Sequence, residues 1–226
     1  MNILAFDTST EILSVACLTG SSTVEVRRDA DLKHAERLFE LIDYVVSRSL
    51  GGIETVDCLA VAAGPGSFTG LRIGFAAARG LAAAGGTPIA AVPTMELYGR
   101  SLAGAGLTVM PVINAGKGRY FSALFEDGLR ASADLDLNLA ELVELAASRG
   151  PLVLTGPQAA EVAEKLAGAA DCRLDHMHRD GRAACLARLG LELHARGIHV
   201  GPLDGPSYLR ASEAEITRGK NGGRPV

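Results

Sequence analysis

The sequence predicts an α/β protein in which one order of elements, three strands followed by helix, strand and helix, occurs twice. Three observations predict it. Short apolar runs have the length of buried strands: Ile3–Phe6, Cys58–Ala62 and Pro88–Val92 in the first half, Val109–Ile113 and Leu152–Leu154 in the second. Segments of helical composition separate them. At Gly104 to Gly106 the order starts again, which divides the chain into units at 1–104 and 105–217, ahead of a Gly-rich tail at 218–226 expected to be mobile. The repeat is one of elements, with no residue-by-residue correspondence.

In the first unit, Ile3–Phe6 ends in Asp7-Thr8-Ser9-Thr10. Ile12–Leu18 and the alternating Thr23–Arg27 follow as a hairpin with an outer strand. From His34 to about Leu50 the period becomes helical, with Leu38, Phe39, Leu41, Ile42, Val45 and Val46 on one arc. That arc spans roughly 160°, against the ~100° stripe that covers one core face, so part of it is expected to meet a second surface. Gly51-Gly52 ends the helix. The strand Cys58–Ala62 then enters Gly64-Pro65-Gly66-Ser67-Phe68-Thr69-Gly70, and a helix of very small side chains runs on to Ala84. Gly70, Gly74, Ala77, Ala78 and Leu81 share one side of it, where another helix or backbone could approach closely. Thr94 is expected to cap a helix from Met95 to Leu102. In the second unit, Tyr120–Phe125 and Leu129–Ala133 read as a hairpin around Asp127-Gly128. Helices are expected at Leu139–Ala147, Gln158–Leu166 and Ala183–Ala195, with a short strand at Cys172–Leu174.

Composition narrows the function. The 226 residues carry a net charge of −4 and only 4% aromatics, without Trp, which argues against a basic or base-stacking nucleic-acid surface. The four cysteines are far apart and form no Cys-x-x-Cys pair, so buried free thiols are expected. No apolar stretch reaches the length of a membrane span, and the N-terminus lacks a signal core; a cytoplasmic location is expected.

The Gly-Pro-Gly turn between strand and helix is a geometry that invites an anion, with Ser67 or Thr69 as helix cap. It lacks the Lys of a Walker loop and the spacing of a dinucleotide fingerprint, so an architectural turn is favoured over a phosphate at the Ser67–Gly70 amides. Asp7, Thr8 and Ser9 present an acid and hydroxyls at a strand end, suited to a metal–phosphate or to capping a hairpin. The matching place in the second unit holds Asn114. None of the five histidines forms His-Glu-x-x-His, and no catalytic set or metal site is visible.

The start Ile-Leu-Ala-Phe-Asp-Thr-Ser, His34 at the first helix, Gly64-Pro-Gly-Ser-Phe-Thr-Gly-Leu-Arg-Ile-Gly74 and Pro206-Ser-Tyr-Leu-Arg210 resemble the TsaB (YeaZ) family. The resemblance implies the actin-like ATPase (ASKHA) fold, two RNase H-like lobes with the second reduced. It implies a non-catalytic partner of TsaD, with TsaE, in forming N6-threonylcarbamoyladenosine at position 37 of tRNAs that read ANN codons. Metal and ATP or ADP would then sit on partner subunits, with none held by this chain alone, and tRNA would be met only through the complex. A homodimer through helices of the first lobe would form when TsaD is absent. Where the paralogue TsaD has His-Met-Glu-Gly-His, this chain reads Thr94-Met95-Glu96-Leu97-Tyr98. Asn114-Ala-Gly-Lys-Gly-Arg-Tyr120 replaces the family's usual Asp-Ala-Arg pattern, and Arg79 stands where Lys is common.

The leading expectation is therefore a scaffold subunit. Its interface is expected at Leu38, Leu41, Ile42 and Val45 with Gly70, Gly74, Ala77, Ala78 and Leu81. Asp7, Thr8, Ser9, Ser67 and Thr69 are the candidates for an inherited nucleotide site. The rivals are a nucleotide hydrolase or peptidase-like enzyme of this fold, and a regulator that binds a small molecule at the Asp7 hydroxyls.

Overall fold

A computed structural model describes residues 1–29, 33–104, 106–201 and 203–209 of the chain. The expected tail at 218–226 lies outside the described residues. Strands β1 (Asn2–Asp7), β2 (Ile12–Thr19), β3 (Ser22–Asp29), β4 (Cys58–Ala62) and β5 (Ile89–Val92) form a sheet ordered β3-β2-β1-β4-β5. The β1–β2–β3 meander is antiparallel, and β4 and β5 join it in parallel. Helices α1 (His34–Ser49) and α2 (Phe68–Gly85) make the crossovers. After α3 (Thr94–Gly99) the second sheet follows: β6 (Thr108–Gly116), β7 (Arg119–Ser122), β8 (Phe125–Glu126), β9 (Leu129–Arg130), β10 (Leu135–Asn138), β11 (Leu152–Thr155) and β12 (Cys172–Leu174). Its main path is β10-β7-β6-β11-β12, the same order as in the first sheet. Helices α4 (Leu139–Ala147) and α5 (Ala159–Leu166) flank it, and α6 (Ala183–Ala195) ends the fold.

Alternation along the central strands sets the layers. In β1 and β4, Leu4, Phe6, Leu59 and Val61 face α1 and α2. Ile3, Ala5, Cys58, Ala60 and Ala62 face the opposite way, into a core that holds α3 and α6 between the two sheets. A third core joins the second sheet to α4 and α5. Small side chains on the inner side of the first sheet let α6 come very close: a Cβ on Gly190 would lie 2.5 Å from Cβ of Ala60.

Several expectations need correction. The last helix does not stay with the second unit. It covers β1, β2, β4 and β5, so the boundary at 104/105 marks where the order repeats but not where packing divides. Its N-terminus has no local side-chain cap; instead Ser14 Oγ accepts from the Arg182 and Ala183 amides, both at 3.2 Å, and Glu25 Oε1 from Ala184 at 3.2 Å. The first sheet thus supplies the cap, which the sequence around Arg182 could not reveal.

The hairpin expected at Tyr120–Phe125 and Leu129–Ala133 is divided. β7 pairs with β6 through a turn at Lys117-Gly118, while β8 and β9 turn at Asp127-Gly128. β6 pairs with β8 at Thr108 and Val109 and with β7 from Val112 onward. The break falls at Met110-Pro111, where Pro111 has no N–H for the ladder and Ser122 Oγ donates to its carbonyl at 2.7 Å. Thr94 does not cap its helix either. Its Oγ1 accepts from the Gly64 amide at 3.1 Å, and Pro93 holds the N-cap position.

Candidate functional site

The β1–β2 turn and the start of α2 are built into each other. Asp7 is 1% exposed, and its Oδ1 accepts from Ser9 N at 2.8 Å and from Ser9 Oγ at 2.6 Å. Burial pushes its carboxyl above the usual carboxylate range, even against the lowering by the Ser9 bonds, His34 and Arg182. Thr8 Oγ1 donates to the Gly70 carbonyl at 2.7 Å, and Thr10 Oγ1 accepts from Ile12 N at 3.2 Å. His34, at the start of α1, reaches the Thr10 carbonyl through Nε2 at 2.8 Å.

The Gly-rich turn closes the same assembly from the other side. Gly64 has φ 105°, open to glycine without strain, and its carbonyl accepts from Thr94 N at 2.8 Å. Ser67 rather than Thr69 is the helix cap, its Oγ accepting from Gly70 N at 3.2 Å, and Ser67 N donates to the Ser9 carbonyl at 2.7 Å. A Cβ on Gly66 would sit 2.4 Å from the Ser9 carbonyl oxygen, one on Gly70 2.0 Å from that of Thr8, and one on Gly74 2.5 Å from Thr8 Oγ1. The structure therefore brings Asp7, Thr8, Ser9 and Ser67 together, as expected for a phosphate cradle, but turns their polar groups on one another. Thr69 is exposed and apart.

Between the two sheets, the tip of the β1–β2 turn is tied to the end of β6. Gln158 Nε2 donates to Glu11 Oε1 at 2.8 Å, and Gln158 Oε1 accepts from Asn114 N at 2.7 Å. The Asn114 side chain turns locally, accepting from Gly116 N at 2.7 Å. Thr94 and Tyr98, the positions set against a histidine pair, are both buried; Tyr98 packs in the central core with the Arg182 guanidinium 5.1 Å from its ring centre. A hydroxyl bonded to backbone and a phenol buried in that core are poor ligands for iron or zinc. Among the described residues, no group of three or more His, Cys, Asp or Glu side chains could hold a metal.

The residues expected at a partner interface are the chain's own core. Leu38 and Val45 are 0% exposed, and Leu41 and Ile42 are nearly so; all four pack on the first sheet. Gly70, Gly74, Ala77 and Ala78 are buried against the β1 turn and the sheet, and Leu81 is half-buried against the same core. The correction has a simple cause. α1 lies on β2 and β3, so its broad apolar arc is needed there, and of that arc only Phe39 remains outside, 53% exposed. On α2 the outward side carries Arg72, Ala76, Arg79, Gly80 and Ala83, all exposed, and a Cβ on Gly80 would meet nothing within 4 Å.

Sequence reading missed the segment that follows α6. Val200 N donates to Ile89 O at 2.8 Å and Ser207 N to Ala63 O at 2.7 Å, laying the chain along β5 and over the Gly64 turn. Arg79 donates to the Asp204 carbonyl. Tyr208 packs against Phe68 with ring centres 4.9 Å apart and planes tilted by 38°, and its hydroxyl accepts from Arg72 Nε at 3.2 Å. The signal was available: Pro206–Arg210 and Gly64–Gly74, the stretch that holds Phe68 and Arg72, both carry the family resemblance, without the contact between them. Glu11 and Gln158 carried no such signal.

A family model described as TsaD, tRNA N6-adenosine threonylcarbamoyltransferase, matches residues 26–134. The chain is 35% identical over 136 residues to the tRNA threonylcarbamoyladenosine biosynthesis protein TsaB of Haemophilus influenzae. That match covers 58% of this chain and 57% of that one, so it spans little more than half of the relative's length. It is 29% identical to the TsaB of Bacillus subtilis over 95% of this chain and 96% of that one. Among solved structures, YeaZ from Pseudomonas aeruginosa superposes with a TM-score of 0.76 and 25% identity, over 92% of this chain and 99% of that one.

Proposed function

The chain belongs to the TsaB (YeaZ) family, and from that premise we propose that it is the non-catalytic scaffold of a complex that makes N6-threonylcarbamoyladenosine in tRNA. A TsaD homologue is its direct partner, TsaE joins the assembly, and tRNA is met only through the complex. Metal and nucleotide reside on those partners.

The observation that carries this reading is the state of the β1 turn. Asp7, Thr8, Ser9 and Ser67 are turned on one another and on the backbone beneath α2. Asp7 Oδ1 accepts both Ser9 donors, Thr8 Oγ1 donates to the Gly70 carbonyl and Ser67 Oγ accepts from the Gly70 amide, which supports a structural use of this turn. The surface offered to a partner is the outward side of the first lobe: Phe39 on α1, and the small stripe Ala76, Gly80 and Ala83 on α2 between Arg72 and Arg79. Small residues at that spacing admit close approach of another helix. The same surface serves a second copy of this chain when TsaD is absent, so the two pairings exclude each other.

Light scattering of the purified chain, alone and mixed with a TsaD homologue, tests this. A homodimer is expected to give way to a heterodimer, and Gly80→Arg to weaken both at least tenfold while the unfolding midpoint stays within the range of an ordinary surface change, about 0.5 kcal/mol. Coexistence of both pairings on one protomer, unchanged association in the variant, or turnover of Mg-ATP by the isolated chain would each overturn the reading.

A further inference from the structure

Arg72, on the outward side of α2, is exposed and yet held in place. Its guanidinium carbon lies 3.7 Å from the ring centre of Phe68, one turn back on the helix, and 6.0 Å from that of Tyr208. Its Nε donates to the Tyr208 hydroxyl at 3.2 Å. Tyr208 is itself fixed, by the contact of its ring with Phe68 and by the bond from Ser207 N to the Ala63 carbonyl at 2.7 Å. A long side chain that ordinarily samples many rotamers is thus set in one orientation, so little conformational freedom is left to lose when something binds it. Its two Nη groups have no hydrogen-bond partner among the described residues.

The same segment meets Arg79, about 10 Å further along α2, which donates to the Asp204 carbonyl. Neither arginine pairs with a carboxylate of the described residues. α2 contains no acid, and the Asp204 carboxylate is turned away, its Oδ2 accepting from Gly201 N at 2.7 Å. The segment after α6 therefore supplies a hydroxyl and a carbonyl to orient the two cations but no charge to neutralise them. Between them lie Ala76 and Gly80, too small to keep a partner helix at a distance. The Nη edge of a stacked guanidinium fits a bidentate oxyanion. A nucleic-acid backbone suits this place poorly, because Glu36, Glu40 and Asp43 are exposed on the adjoining α1 and the chain carries a net charge of −4. A protein surface can bring a single acid to Arg72 without laying a row of phosphates across α1.

We propose that Arg72 is the anchor for a carboxylate of the partner protein, an Asp or Glu on the helix of the TsaD homologue that lies along the α2 stripe, and that Tyr208 is the residue that positions it. This rests on the reading of the outward side of the first lobe as the partner surface. It adds the chemistry that the partner must present there, and it makes the segment after α6 part of the recognition surface.

The test uses this full chain and a TsaD homologue, with the Kd of the pairing measured by calorimetry at low and at high salt. Arg72→Gln is expected to raise the Kd about tenfold at low salt and to flatten its dependence on salt. Arg72→Lys keeps the charge without the planar fork and is expected to recover only part of that loss. Tyr208→Phe keeps the ring and loses the hydroxyl; a rise of about threefold is expected, with the salt dependence retained. Arg149→Gln, an equal change of charge in the second lobe, is expected to leave the Kd unchanged, and urea unfolding of all four variants to stay close to that of the wild-type chain. A pairing that Gly80→Arg disrupts but Arg72→Gln leaves intact would overturn the anchor while the scaffold reading stands; a wild-type chain that does not pair at all would overturn both. An effect of Arg72→Gln confined to self-association, or tRNA binding by the isolated chain that Arg72→Gln abolishes, would also overturn the proposal.

Discussion

On one helix, two stripes of equally small residues meet opposite surroundings. The inner stripe of α2, Gly70, Gly74, Ala77 and Ala78, is buried; Gly70 and Gly74 close on the backbone and side chain of Thr8. The outer stripe, Ala76, Gly80 and Ala83, is exposed, with nothing within 4 Å of a Cβ on Gly80. Absence of side-chain bulk announces a close approach without saying what approaches. In this chain the inner approach is made by its own first turn, and only the outer one is left for another molecule. The difference is one of consequence as well: an added side chain on the inner stripe strikes backbone, while one on the outer stripe enters open space.

Gly70→Val breaks the inner stripe most severely. Its Cβ would fall 2.0 Å from the Thr8 carbonyl oxygen, which is backbone of the β1–β2 turn and cannot move aside as a flexible side chain could. A loss of about 4 kcal/mol is expected in urea unfolding, above the usual range for overpacking because the obstacle is backbone. Full stability in this variant would mean that the inner and outer stripes are not different in kind. Leu41→Glu makes the same contrast on α1. Leu41 was expected at a partner surface and is 6% exposed in the core, so the variant is expected to lose about 3 kcal/mol of stability, the cost of losing a buried leucine and placing a carboxyl there. A stable variant that fails only to associate would return Leu41 to the interface.

Much of the fold was legible because buried strands and amphipathic helices carry their own periods. Leu139–Ala147 and Ala183–Ala195 were delimited to the residue. The strand order of the first sheet recurs along the main path of the second, but five strands rather than three precede α4, and the strand Leu135–Asn138 was not expected. The misses have physical causes. Nothing local to Ala183–Ala195 says that it crosses to the first sheet, because its caps, Ser14 and Glu25, lie more than 150 residues away. Pro111 was read as part of a strand, but its missing N–H also divides the strand beside it. Of the candidate site residues, Asp7, Thr8, Ser9 and Ser67 lie together, but the side of α2 expected at an interface faces inward. α2 is apolar or small nearly all round, so no period marks which stripe is inward. The arc of α1 was wide enough for two surfaces, yet only Phe39 of it stays outside.

The smallest effect expected is at Asp7, under the inner stripe, where a change of one oxygen to nitrogen reports whether that place is closed to water. Burial raises the Asp7 carboxyl in the fold above its ordinary value of 3.8. The folded chain therefore holds the proton more tightly than the unfolded chain. Its contribution to stability is fully present below 3.8 and is lost as pH rises through the folded value. Asn at this position keeps an acceptor for both Ser9 donors and does not titrate. Unfolding midpoints in urea, measured from about pH 4 to about pH 8, should show Asp7→Asn gaining on the wild-type chain as pH rises, then holding a constant lead once the wild-type carboxyl is ionised. Parallel profiles would mean that water reaches the carboxylate. The turn beneath α2 would then be open, and an anion there would again compete with the reading of α2 as a wall closed on the inside and free on the outside.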